Sequence, residues 1–206
     1  MPLFLQHIAP LWGVWKIEES SETLFALLKN AEEYLPELDG IRTEHRRQEW
    51  LASRVLLQEL LGSPLRIAYH LNGAPYLPDS PLRISISHTK GYAAVLLQNH
   101  PAAGIDIEYH SERVLKIRSR FMAPEEEAGI DKEHETEHLL LHWCAKETLF
   151  KMIGQEEVDF RKHLHVRPFR YAEEGSCTAH ETRTEQGSVY RLNYLVTPAF
   201  VLTWSV

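Results

Sequence analysis

The sequence predicts an α+β fold of two similar halves related by a pseudo-twofold, each a small, mostly antiparallel sheet packed on a long helix. Three observations predict it. Short β-like runs bounded by turn signals fill much of the chain. Two long stretches carry apolar residues at helical spacing. The order strand, short helices, long helix, several strands occurs twice, and the residues echo it. Trp50-x-Ala52-x-x-x-Leu56-Leu57-x-x-Leu60 is similar to Trp143-x-Ala145-x-x-x-Leu149-Phe150-x-x-Ile153, an offset of 93 residues. The same offset sets Gly13-Val14-Trp15 against Asp106-Ile107-Glu108. A repeat of this kind divides the chain into 1–100 and 101–206.

Leu11 to Glu18 reads as a strand, followed by a short helix capped by Ser20 or Ser21 and running to about Lys29. Ile41 to Leu61 reads as the first long helix, stopped by Gly62 and Pro64. Strand-like runs follow at Leu65–His70, Pro75–Leu77, Leu82–His88 and Tyr92–Gln98, with turns at Asn72–Gly73, Lys90–Gly91 and Asn99–Pro101. Ala102–Tyr109 is a further strand. Glu112–Phe121 looks helical, and Pro124 with three acids after it marks another helix start. Glu135–Ile153 reads as the second long helix. His165–Ala172, Cys177–Thr182, Val189–Val196 and Phe200–Val206 read as strands.

The 206 residues are enough for a real hydrophobic core, and 44% apolar with 25% charged residues is ordinary for a globular protein. The net charge of −7 argues against a nucleic-acid partner, whose binders carry a basic footprint. Met1–Trp15 lacks a basic start followed by an apolar run, so no signal peptide is expected. No stretch approaches the roughly 20 apolar residues of a membrane span. Cys144 and Cys177 read as reduced thiols of a cytoplasmic protein. The twelve histidines are expected mostly at the surface.

Ala103 to Tyr109 reads A-G-I-D-I-E-Y. Side chains alternate along a strand, so Ile105 and Ile107 should enter a core while Asp106 and Glu108 stand together on the opposite face. Two such carboxylates repel unless a cation lies between them, and hard oxygen donors suit Mg²⁺ or Mn²⁺. A half-exposed strand with a polar face accounts for the same pattern. Gly104 leaves room for a ligand or another backbone to come close. Glu147 and Lys151 share a helix face, and Trp143 one turn earlier indicates that this face packs against something. In Ser85-Ile86-Ser87-His88-Thr89, hydroxyls and an imidazole at a strand end can donate to phosphate oxygens, although such residues are also common near turns.

Together these pieces resemble the 4′-phosphopantetheinyl transferase superfamily. Its G-[IV]-D-x-[DE] strand matches Gly104-Ile105-Asp106-Ile107-Glu108. Its W-[SACT]-x-K-E-[AST]-x-x-K helix matches Trp143-Cys144-Ala145-Lys146-Glu147-Thr148-Leu149-Phe150-Lys151. Ser87-His88-Thr89, Asn72-Gly73-Ala74-Pro75-Tyr76 and Arg47-x-x-Trp50-Leu51-Ala52-Ser53-Arg54 resemble motifs of its longer, monomeric, surfactin-synthetase-activating branch. Ala74 stands where that branch often has a lysine that helps hold the coenzyme's phosphates. The resemblance implies transfer of 4′-phosphopantetheine from coenzyme A to a serine of an acyl or peptidyl carrier protein, Mg²⁺-dependent, with release of 3′,5′-ADP. It implies metal ligands Asp106, Glu108 and Glu147, with Glu147 as base and Lys151 beside the scissile phosphate. Ser87 and His88 would hold phosphate oxygens, and Arg47 and Arg54 the 3′-phosphate. Residues 1–100 would thus contribute to coenzyme binding and 101–206 would carry the metal.

At the offset of 93, the counterparts of Asp106, Glu108 and Glu147 are Gly13, Trp15 and Arg54, so a single metal site is expected. Arg113, Lys116, Arg118 and Arg120 form a local positive face directly after the acidic strand, suited to docking an acidic carrier protein. A noncatalytic module that binds coenzyme A or a nucleotide is the alternative. Such a module has no need of Glu147 and Lys151. A transferase built on a glycine-rich phosphate loop is disfavoured, because no such loop is present.

Overall fold

The computed structural model describes residues 3–100 and 102–206. The chain divides into two units, Met1–Pro101 and Ala102–Val206. In the first, β1 (Leu3–Ile8), β2 (Leu11–Lys16), β5 (Arg83–Thr89) and β6 (Tyr92–Gln98) form an antiparallel sheet in the order β1-β2-β6-β5. A two-stranded ribbon pairs β3 (Ala68–Tyr69) with β4 (Pro75–Tyr76). Two short helices, α1 (Ser21–Leu27) and α2 (Leu35–Asp39), precede the long helix α3 (Glu44–Leu61). Thr43 caps α3 by accepting from the Arg46 amide, and Gly62 ends it in the left-handed conformation at φ +69°. Leu51, Val55, Leu56 and Leu57 of α3 join Trp15, Leu24, Val95 and Leu97 in one apolar core.

The second unit opens on β7 (Ile105–Tyr109), continues through short helices α4 (Arg113–Ile117) and α5 (Pro124–Glu127) to the long helix α6 (Glu135–Ile153), and closes with β8 (Leu164–Val166), β9 (Glu174–Glu181), β10 (Val189–Val196) and β11 (Phe200–Ser205). Its sheet runs β7-β11-β10-β9-β8, all antiparallel. Leu139, Leu140, Leu141, Ala145 and Leu149 of α6 pack with Leu192, Tyr194 and Val201 of the sheet. In both units a strand ahead of the long helix, β2 or β7, pairs with the last strand of an antiparallel hairpin that follows the helix, β6 or β11.

Several elements differ from the sequence expectation. β1 was not foreseen, because Gln6 and His7 interrupt its apolar pattern; pairing with β2 makes it a strand. The expected helix over Glu112–Phe121 is one helical turn followed by a 3₁₀ turn at Arg118–Arg120. The strand expected over His165–Ala172 stops at Val166, ahead of Pro168, which has no amide hydrogen for a ladder. β9 ends at Glu181, whose buried carboxylate accepts from the amides of Arg183, Thr184 and Ser188 and so organises the turn to β10.

The histidines are not all superficial. His138 and His142 lie four residues apart on α6, after His134 at its N-cap, and both are buried against Phe169. Burial, with His138 and Lys146 nearby, pushes His142 down to about 3, and burial lowers His138 as well. An unfolded histidine titrates near 6.5, so below that pH the unfolded chain binds protons that the native fold refuses. Stability is therefore full above about pH 6.5 and falls as the pH drops towards 3. Between pH 7 and pH 5 the urea midpoint of the parent should fall relative to that of His142→Leu, whose pH slope lacks this contribution. An unchanged slope in a folded variant would show that His142 does not carry the effect.

Candidate active site

β7 places its two acids two residues apart on one face. Asp106 is in register with Thr203 of β11, and Glu108 with Val201. In the structure α6 covers this face. Val201 belongs to the α6 core, and Thr203 Oγ1 lies 2.6 Å from Thr148 Oγ1 of the helix. Ile105 and Ile107 are also buried, on the other face and outside that core cluster. The acids tolerate cover because α6 brings polar partners. Lys151 Nζ donates to Asp106 Oδ1 at 2.8 Å and to the Ile105 carbonyl at 2.9 Å. Trp143 Nε1 donates to Glu108 Oε1 at 2.8 Å.

Glu147 lies between these two contacts on the same helical face. Burial raises its carboxyl to about 7; Asp106 and Glu108 add to the rise, and Lys151 opposes it. Burial also pushes the adjacent Cys144 thiol well above its ordinary range, reinforced by the charges of Asp106 and Glu108. Cys144 and Cys177 are both free and buried. Three carboxylates and one ammonium therefore act on one another at the β7–α6 contact. Among the described residues, no three or more His, Cys, Asp or Glu side chains close around a point as a metal cage would. Magnesium does not require such a cage, since it takes one or two carboxylates and completes its shell with water and phosphate. The donors are hard oxygens under mutual repulsion, and this chemistry fits a divalent cation.

Beside Glu108 opens a cavity of about 700 Å³. Trp143, Phe160, Val114 and Leu140 give it an apolar floor, and Arg113 and Arg120 stand on its rim. Of the basic residues singled out in sequence, Arg113, Lys116 and Arg120 are exposed. Arg118 is withdrawn: Glu127 and Glu135 hold its guanidinium. That pairing follows from folding α5 and the start of α6 beside the 3₁₀ turn, which no local pattern announces.

The candidate coenzyme groups of the first unit are less concentrated. His88 is exposed and lines a cavity of about 500 Å³ with Arg46, Glu49, Trp50 and Tyr69. Glu49 is buried, and its carboxylate meets His45, Arg46 and His88 at 3.0, 3.0 and 3.4 Å. Ser87 is buried on the opposite face of β5, so strand alternation separates it from His88. Arg47 is half-buried, and its Nε donates to the Ile41 carbonyl. Arg54 is buried, with its guanidinium stacked 3.1 Å from the centroid of the Trp50 ring and bonded to the Trp50 carbonyl and the Tyr69 hydroxyl. It serves the packing of α3. Glu49 escaped the sequence reading because one glutamate in a charged helix carries no distinguishing pattern.

Residues 102–203 match the family model described as the 4′-phosphopantetheinyl transferase superfamily. This chain belongs to that superfamily. A 4′-phosphopantetheinyl transferase, AcpT, of Escherichia coli O157:H7 is 31% identical over 115 residues, 53% of this chain and 59% of the relative. The 4′-phosphopantetheinyl transferase Sfp of Bacillus subtilis strain 168 is 30% identical over 97 residues, 45% of this chain and 43% of the relative. The matched stretch thus spans less than two thirds of these superfamily members. Asp106, Glu108, Trp143, Glu147 and Lys151 all fall inside the region that matches the family model. The fold is α+β, and no helix among the described residues is long and apolar enough to cross a membrane.

Proposed function

We propose that this chain transfers the 4′-phosphopantetheine of coenzyme A to a serine of an apo acyl or peptidyl carrier protein, releasing 3′,5′-ADP. The observation that carries the reading is the convergence of Asp106, Glu108, Glu147 and Lys151 at the β7–α6 contact of a superfamily member. Asp106, Glu108 and Glu147 would hold Mg²⁺, with Mn²⁺ as a substitute. A bound divalent ion supplies charge neutralisation for the pyrophosphate.

The chain's own groups supply the rest. A carboxylate near neutrality is suited to general-base work, so Glu147 accepts the proton of the attacking serine hydroxyl. The serine oxygen forms a bond to phosphorus as the pyrophosphate P–O bond breaks and 3′,5′-ADP departs. Lys151, held by Asp106, presents its ammonium to the leaving phosphate. A module that merely bound the coenzyme would have no use for a raised carboxyl beside a lysine. His88 and Arg46 are candidates for contact with the coenzyme in the first unit, with Ser87 and Arg47 in supporting positions. Arg54 is left out of the site. The carrier docks on Arg113, Lys116 and Arg120, and the protein works in the cytoplasm as a monomer.

Incubating an apo carrier with coenzyme A, Mg²⁺ and this protein should add the mass of one phosphopantetheine to the carrier. No gain with fatty-acid, polyketide and peptide-synthetase carriers would overturn the reading. Docking through exposed charges is screened by salt, so the KM for the carrier should rise between low and high ionic strength. Arg120→Glu should raise it further. A KM indifferent to both would remove the arginine face from the docking surface.

A further inference from the structure

Lys146 precedes Glu147 in the helix but points away from the acids, and it is completely buried. Its ammonium donates to the Phe121 carbonyl, to Glu126 Oε2 at 2.7 Å and to the Phe160 carbonyl at 3.2 Å, so all three hydrogens are used. Glu126 is buried too. Its Oε2 also accepts from the Ala123 amide at 2.7 Å, and its Oε1 from the Val166 amide at 2.8 Å. One ion pair thus ties α6 to the 121–126 segment, to Phe160 and to β8. A buried pair satisfied on every side fixes geometry, and the same pair with one partner removed leaves a charge stranded.

The two carbonyls that Lys146 holds belong to the residues whose rings flank Trp143. Phe121 meets the indole edge-on at 5.2 Å between centroids, and Phe160 stacks on it at 5.5 Å. That indole is the group that donates to Glu108. We propose that Lys146 is a positioning residue: through Phe121 and Phe160 it holds Trp143 in the orientation that hydrogen-bonds Glu108. The inference rests on the transfer reading only in giving Glu108 its role. The chain of contacts itself lies wholly within the second unit.

The test uses the full chain labelled with ¹⁵N-tryptophan, in which Trp143→Phe assigns the Trp143 indole resonance among the five tryptophans. Lys146→Met combined with Glu126→Gln removes the ion pair without stranding a charge. Phe160→Leu removes one flanking ring and leaves the pair intact, so the proposal stays testable if the double variant fails to fold. In each folded variant the Trp143 indole hydrogen should exchange with solvent at least about ten times faster than in the parent, Mn²⁺ affinity should fall about ten-fold, and kcat should fall with little change in the KM for the carrier. Combining either variant with Trp143→Phe should add nothing further to the loss of Mn²⁺ affinity. Folded variants whose indole protection and Mn²⁺ affinity match the parent would overturn the proposal, as would effects that add to those of Trp143→Phe. If the parent neither binds Mn²⁺ nor loads a carrier while indole protection still falls in the variants, the transfer reading fails and the positioning link stands.

Discussion

Glu147→Gln should lower kcat for carrier loading by about 10²- to 10⁴-fold, the range for loss of a general base, while making the protein more stable at pH 8. The two effects share a cause. Burial and two neighbouring carboxylates hold Glu147 at about 7, above its ordinary 4.5. The native state therefore binds a proton that the unfolded chain has released between those values. Stability contributed by this group is full at low pH, declines as pH rises above 4.5, and is lost above 7. At pH 8 the native state carries an ionised Glu147 against burial and repulsion, at a cost on the order of 3 kcal/mol. Glutamine keeps the shape and removes the charge, so it relieves that cost and removes the base. Urea unfolding with a chelator present should show the variant more stable than the parent at pH 8 and about equal at pH 4. A variant that loads carrier at the parent rate would deny Glu147 its role. One destabilised at pH 8 would deny the like-charge account.

Much of this was written locally in the chain. The period of the two long helices, the Gly62 stop and the alternation of Ile105-Asp106-Ile107-Glu108 each depend on residues near in sequence, and each was legible. So was the pairing of the acidic strand with the Trp143–Lys151 helix, because the spacing of a known motif encodes a distant contact. What stayed hidden depends on where the rest of the chain lands. Arg54 read as a candidate for the 3′-phosphate and Arg118 as part of a docking face. One is buried against Trp50, and the other is held by Glu127 and Glu135. How deeply the acid face of β7 is buried was also hidden, because it depends on a Lys and a Trp that the helix brings to the two acids. His138 and His142 have the four-residue spacing of a helix face, yet their burial follows from Phe169, far outside the helix.

Gly104→Ala should destabilise the second unit by about 3 kcal/mol, near the upper end for overpacking, and should depress transfer beyond what the loss of folded protein explains. A methyl group at Gly104 would lie 2.7 Å from the Thr148 carbonyl oxygen and 2.6 Å from Met152 Cγ. Met152 is flexible and can move; the Thr148 carbonyl is helix backbone and cannot. The strand must then retreat from α6 at the point where β7 begins, and the displacement is passed on at once. Lys151 spans that gap to both Ile105 and Asp106, and Thr148 adjoins Glu147. Gly13 in the first unit supplies the contrast. A methyl there would meet the tips of Leu56 and Leu60 at 3.0 and 3.1 Å and the Leu5 carbonyl at 3.3 Å. Leucine tips yield by small rotations, so Gly13→Ala should cost less, about 1 kcal/mol. Urea denaturation of both variants decides the matter. If Gly13→Ala proved the more damaging, close approach of the α6 backbone would not be what glycine provides at position 104. If both were destabilised as expected but Gly104→Ala kept full kcat, the β7–α6 separation would not govern the chemistry at Glu147.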